Sequence, residues 1–295
     1  MTPGEAGPTT PLFRFVQVEY PWALGPADGR YVLRGHAGVP QHVLVLATLG
    51  AVERRALVGR RRGRSRAAVP GGPVPVVTSR ATLIAAEPFA SAAEAERWRA
   101  AVDAEAEAAD ALRELNRVLH VHRVAAADAA VRELDRDAAL AVRVGLGEGE
   151  GLAHGHWTAA VELAPRKAAR GAAQRSAVLR PQERLAAVLG GRDVALACEE
   201  LTLRARSDMN AGRAREAALQ LRVALECALA ELTPWSDREA IAHRIGDLRE
   251  QRGPVAAAAN MAVNGGLDED TTEEVERVLA LLEGALRART AVGLE

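Results

Sequence analysis

The spacing of apolar residues changes character once along this chain, at Pro88, and that change bounds what it can fold into. Before it, apolar residues come in short runs rich in Val, Leu, Phe and Tyr, at 12–20, 30–34, 42–49, 74–79 and 80–86. Turn formers separate the runs, as in Pro26-Ala27-Asp28-Gly29 and Gly71-Gly72-Pro73, and such punctuation marks strands. Uneven alternation, as at Tyr31, Leu33, His42, Leu44 and Leu46, suits one antiparallel sheet with one wet face. After Pro88 apolar residues recur at helical spacing. The expected class is α+β: a small antiparallel β domain followed by a mainly helical region ending in an antiparallel bundle.

The helical part is punctuated by its own signals. Ser91 and Glu94 form a capping box opening a helix of about 30 residues that carries Ala108, Ala111, Leu112, Leu115, Leu119 and His122. A second helix is expected at 125–134. Residues 139–165 break the pattern: a strand at 139–144, a glycine-rich stretch at 145–151, then a short helix at 157–163. Residues 165–180 are basic and weakly patterned, as in a linker. Pro181 suits the first turn of a helix ending before Gly190-Gly191, and Asp193 the cap of the next. Leu221, Leu225, Ala228, Leu229 and Leu232 make a further stripe, stopped by Pro234. Ser236/Glu239 and Thr271/Glu274 read as two more capping boxes, the last opening a helix with Val275, Val278, Leu279, Leu282 and Leu286 facing inward. Short turns between amphipathic helices imply an antiparallel bundle. The domain expectation is a β domain at 1–90, a helical connector at 91–180 and a helical bundle at 181–295.

Composition narrows the function. Lys+Arg number 38 and Asp+Glu 39, so the chain is not a globally basic nucleic-acid binder, though a local basic patch remains open. No run of apolar residues is long enough to span a bilayer, so no membrane partner is expected. The opening residues lack the charged and apolar regions of a secretory leader. Cys198 and Cys227 both fall in helical stripes, so no disulfide framework is expected, and a cytoplasmic setting is.

Chemistry-bearing patterns are few. The run Gly145-Leu146-Gly147-Glu148-Gly149-Glu150-Gly151 follows a predicted strand, but Glu150 stands where a dinucleotide loop needs Gly and two glutamates would repel a phosphate. A flexible turn is expected there, with no cofactor. The pairs His120/His122 and His154/His156 have i, i+2 spacing, which shares a face only on a strand, and no third ligand stands at a metal spacing. No metal is expected. No Ser sits in a nucleophile elbow. The densest signal is basic: Arg54, Arg55, Arg60, Arg61, Arg62, Arg64 and Arg66 put seven arginines in thirteen residues between two predicted strands. Such a loop either neutralises nucleic-acid phosphates or is a solvated hairpin loop, and no interleaved aromatic offers base stacking.

One segment carries a family likeness. Ala258-Ala259-Asn260-Met261-Ala262-Val263-Asn264-Gly265-Gly266, followed by 268–289, resembles the end of a HEPN domain, an all-helical bundle of bacterial toxins and abortive-infection proteins. That family carries an R-N-x-x-x-H signature at a helix end, then a small polar loop and a last amphipathic helix. Asn260 matches the Asn, and 271–289 the last helix. The likeness covers about one third of the chain, with 193–209, 213–232 and 238–251 in the earlier bundle positions. The signature is degenerate: Ala259 stands at its Arg and Asn264 at its His. In active members the resemblance implies a metal-independent ribonuclease using that Arg and His. Asn cannot titrate near neutrality, and Ala cannot hold a phosphate. The resemblance therefore implies a pocket of Ala259, Asn260 and Asn264 without catalytic groups, Asn260 being its least exposed member. The expected function is that of a non-enzymatic interaction protein, with docking on a protein partner or self-association through the bundle, and nucleic-acid contact through Arg60, Arg61, Arg62, Arg64 and Arg66. The rival is a metal-independent ribonuclease or toxin-like enzyme with relocated groups such as Arg252, His243 or Asn264.

Overall fold

The computed structural model describes residues 10–35, 37–50, 77–164 and 172–293, and the chain divides into two compact units, 1–167 and 168–295. The first holds one six-stranded sheet. Its strands are β1 (Leu12–Tyr20), β2 (Gly29–Arg34), β3 (Pro40–Leu49), β4 (Thr78–Ala85), β5 (Ala141–Glu148) and β6 (Ala159–Glu162), in the spatial order β2-β3-β4-β1-β5-β6. Every pairing is antiparallel. The sheet draws on 141–162, inside the expected connector: the strand expected at 139–144 belongs to β5, and the short helix expected at 157–163 is instead strand β6. β1 is buried from Phe15 to Val18 and at Tyr20, so the backbone N–H and C=O groups on both of its edges need partners. β4 takes one edge through Phe15↔Ile84 to Tyr20↔Ser79, and β5 takes the other through Leu12↔Glu148 to Glu19↔Ala141.

Between β4 and β5 run α1 (Ala92–Ala101) and α2 (Ala104–Ala125). The single long helix expected here is two, because Asp103 accepts the free N–H groups of Glu105 and Ala106 and starts a new helix. Ser91 and Glu94 act as read: Ser91 Oγ accepts from the Glu94 N–H, and the Glu94 carboxylate accepts from the Ala90 N–H. Ala108, Ala111, Leu112, Leu115 and Leu119 on α2 pack on Val16, Val18, Tyr20, Leu44, Leu46, Leu83, Val142 and Val144. No helix covers 125–134; Leu134 is held in a loop by the Asn116 side chain, which bonds both its N–H and its C=O.

The opposite face, expected to be wet, is covered at its centre and open at β2, where Val32 is 53% exposed. A 3₁₀ segment, Gly149–His154, and Trp157 fold over Phe15 and Ile84, burying Leu152. The glycines expected to form a flexible turn make this possible. A Cβ on Gly145 would lie 2.2 Å from the Ala159 carbonyl oxygen, and one on Gly147 would lie 2.7 Å from Leu152 Cδ2. Both glycines are inside β5, where they admit backbone at close range.

The second unit is helical: α3 (Ala172–Leu189), α4 (Ala197–Asn210), α5 (Ala214–Glu231), α6 (Glu239–Glu250), α7 (Arg252–Asn264) and α8 (Glu269–Gly293). Its core joins Leu221, Leu225, Leu232, Ile241, Ile245, Leu248, Val278, Leu279 and Leu282. Four punctuation signals resolve differently. Pro181 lies inside α3 and residues from 172 are helical, so proline here removes one hydrogen bond without ending the helix. The box at Ser236/Glu239 is replaced by a helix that starts after Arg238. Asp268, not Thr271, caps α8, accepting from the Thr271 N–H at 2.8 Å. Asp193 caps no helix; α4 begins at Ala197, its free Ala197 and Cys198 N–H groups bound by the Glu231 carboxylate from α5.

Candidate functional site

The residues of the degenerate signature lie in the second half of α7. Val255, Ala258, Ala259 and Ala262 form the buried face of this helix. Asn260, one step on, faces outward and is exposed, as is Asn264. The two asparagines share a side, as their i, i+4 spacing requires, and the Asn264 side chain donates to the Asn260 carbonyl at 2.9 Å. The expected order of burial is reversed: Ala259, at 2% exposure, is the buried member, and Asn260 is not. The reason is packing. α7 lies against α5 through alanines, so its small residues go inward and its amides outward.

Two bonds and one ion pair fix how α5 and α7 run. Arg215 Nε donates to the Ala262 carbonyl at 2.8 Å, Arg222 to the Ala256 carbonyl at 3.3 Å, and Arg252 Nε to Glu226 at 2.9 Å. Rising numbers on α5 meet falling numbers on α7, so the pair is antiparallel. Arg215, Leu219, Arg222 and Glu226 follow one another at four and three residues, which places Leu219 on the α7-facing edge of the same stripe. Leu219 is 38% exposed, Val223 51% and Val263 65%. The outer surface of the pair therefore carries three open apolar side chains beside Asn260 and Asn264, with arginines and glutamates around them.

The groups named for a relocated enzyme are not brought together. Arg252 opens α7 and Asn264 closes it, about 18 Å apart along the helix axis. His243 is on the exposed side of α6, its Nδ1 3.1 Å from Asp247 Oδ2. The remaining candidates are likewise separated. His120 faces Arg123 within α2, His154 and His156 are exposed at the end of the 3₁₀ segment, and among the described residues no three His, Cys, Asp or Glu side chains could hold a metal. Arg60, Arg61, Arg62, Arg64 and Arg66, with Arg54 and Arg55, lie outside the described residues.

Sequence reasoning missed two polar constructions. On the covered face of the sheet Glu19 joins Arg80, at 2.8 Å, and Arg143, at 3.1 Å, while buried Gln17 donates to Thr82 Oγ1 at 2.9 Å. Alternation along β1 (Phe15, Gln17, Glu19) was the available signal, but it looks the same as a solvated face. In the bundle, Asp193 accepts two bonds from Arg289 and one from Arg184, which also pairs with Glu199. Arg289 is 1% exposed and stacks on Trp235 at 4.6 Å. Burial works against the Asp193 charge, but hydrogen bonds from Arg289, the Val194 N–H and Arg184 outweigh it and hold the carboxyl below its usual range. The Cys198 thiol, buried and beside Glu231, is pushed far above the range of a reactive thiol.

No family model, no curated protein and no solved structure matches this chain.

Proposed function

We propose that this chain works by binding rather than catalysis, and that its second unit is a degenerate HEPN-like bundle docking on a second copy through the outer surface of α5 and α7. The observation that carries this reading is the exposure of Leu219, Val223 and Val263 on one surface, beside the two asparagines at the degenerate positions. Single exposed apolar residues are ordinary; several together on a helix pair favour association. The surrounding charges favour a like partner. Arg215, Glu216, Arg222 and Glu226 alternate in sign along α5, so a copy related by a two-fold axis can set each against its opposite. The distance between Arg252 and Asn264, and the place of His243, weigh against the ribonuclease reading. Nucleic-acid contact by Arg60–Arg66 is a separate part of the proposal, carried by sequence alone; it calls for binding that weakens steeply with salt.

The test is sedimentation equilibrium of the full chain beside the variants Leu219→Glu and Val263→Glu. The reading expects a concentration-dependent dimer that each variant shifts to monomer, with the helical circular dichroism kept because both positions are open. A monomer at all concentrations, or a dimer indifferent to both variants, contradicts it. Total RNA incubated with the protein should stay intact with or without chelator; degradation that follows the protein peak would favour the rival.

A further inference from the structure

In the sheet unit a cleft of about 320 Å³ opens between the first half of α2 and one end of the sheet, a size at the lower end for small-molecule sites. Strand register builds it. Ala85 of β4 pairs with His42 of β3, and Phe15 of β1 pairs with Ile84, which sets Arg14 beside Ala85 on the α2 side. A small residue thus stands between two long ones. On the facing wall α2 sets Ala111 among Glu107, Asp110 and Glu114, which follow at helical spacing. Val16 and Leu83 complete an apolar floor.

The charges on the two walls are not all spent on each other. Asp110 pairs with Arg113, and Glu114 with Arg117. Among the described residues the side chains of Arg14 and Glu107 make no ion pair, although both line the cleft. His42 lines it too, and its buried Nδ1 has no hydrogen-bond partner. Burial lowers the His42 pKa below its ordinary value, with Glu114 opposing and Arg14 and Arg117 adding to the effect, so the ring is neutral at pH 7 and competes for neither wall. An unpaired cation on one side, an unpaired carboxylate on the other and an apolar floor between them match one kind of molecule.

We propose that this cleft binds a free aliphatic α-amino acid, its carboxylate on Arg14, its ammonium on Glu107, and its side chain over Val16, Leu83, Ala85 and Ala111. An arginine meets a carboxylate through paired N–H donors, and a carboxylate meets an ammonium by charge-assisted hydrogen bonds. Both ends of the zwitterion are then satisfied, which neither an amine nor an acid alone achieves.

The probe is L-leucine, titrated calorimetrically into the full-length chain. Saturable binding is expected, with isovalerate, isoamylamine and glycine each at least about tenfold weaker, since each lacks one of the three contacts. Arg14→Gln and Glu107→Gln should each weaken leucine by about tenfold or more with the melting temperature kept, and Glu276→Ala, on the other unit, should leave it unchanged. No saturable binding of L-leucine, isovalerate binding as tightly as leucine, or leucine binding that survives Arg14→Gln would each overturn the proposal. None of these outcomes bears on the dimer, which depends on α5 and α7.

Discussion

The bundle and the sheet keep their charges in opposite ways. In the bundle the deepest pair, Asp193 with Arg289, sits where the segment before α4 meets the last turns of α8, beside a core cluster of alanine, leucine, valine, isoleucine and Cys198. In the sheet the charges are spread over three strands, Glu19, Arg80 and Arg143 sharing one half-buried band under the 3₁₀ segment. The difference teaches where each unit is vulnerable. Removing one member of a deep pair strands its partner, whereas a half-buried band still reaches water.

The harshest way to break the bundle is at the degenerate signature. Ala259→Arg puts a long unpaired cation against α5 and should cost about 4 kcal/mol or more, while Asn264→His, on the open side, should change stability by no more than about 0.5 kcal/mol. Urea unfolding of the two variants measures both. A small cost at 259 would mean that α7 is turned away from α5.

Next in size is the buried pair. Arg289→Met should cost about 3–5 kcal/mol because it leaves the Asp193 carboxylate nearly enclosed, whereas Arg80→Met in the sheet should cost about 1 kcal/mol or less. The pair also gives the bundle an acid limb. The Asp193 pKa is lowered in the folded state, so its contribution is full above the ordinary carboxylate pKa and is lost as pH falls through the lowered value. Asp193→Asn should flatten stability against pH in that acid window and leave the slope near neutrality alone.

Leu279→Ala should follow, at about 2–5 kcal/mol, with Glu276→Ala on the outer face of the same helix within about 0.5 kcal/mol. The inward set Val275, Val278, Leu279, Leu282 and Leu286 was legible because helical burial repeats within one short window. That is why the inward stripes of α5 and α8 could be read from the sequence. The caps of the bundle could not. Asp193 and Glu231 take their roles from partners brought from elsewhere in the chain, and only the folded geometry says which oxygen reaches which N–H group.

The sheet was legible as strands and not as a sheet. β1, β2 and β3 stand close to where alternation and turns put them, and β5 starts inside the strand expected at 139–144; but β5 runs on into glycines read as a loop, and β6 lies where a short helix was expected at 157–163. Nothing local to Gly145 says that 159–160 will cross it at backbone range; that information lies in the pairing of β5 with β6, Gly145↔Ala160, across an intervening 3₁₀ segment. Gly145→Ala sharpens this point. With no room for a Cβ, β6 must move away from β5, at a cost of about 1–3 kcal/mol, and amide exchange should rise in 159–162 but not in α4–α8. The candidate site was legible only as residue types. Asn260 and Asn264 were found by their spacing, while the surface they border depends on the pairing of α5 with α7.

That surface carries the functional reading, and hydrogen exchange of the full-length chain at two concentrations tests it most directly. Between a dilute and a concentrated sample, the account predicts slower amide exchange in 216–226 of α5 and 256–264 of α7, with the sheet and α6 unchanged. Association accompanied by protection elsewhere, or no concentration dependence in either segment, would contradict it.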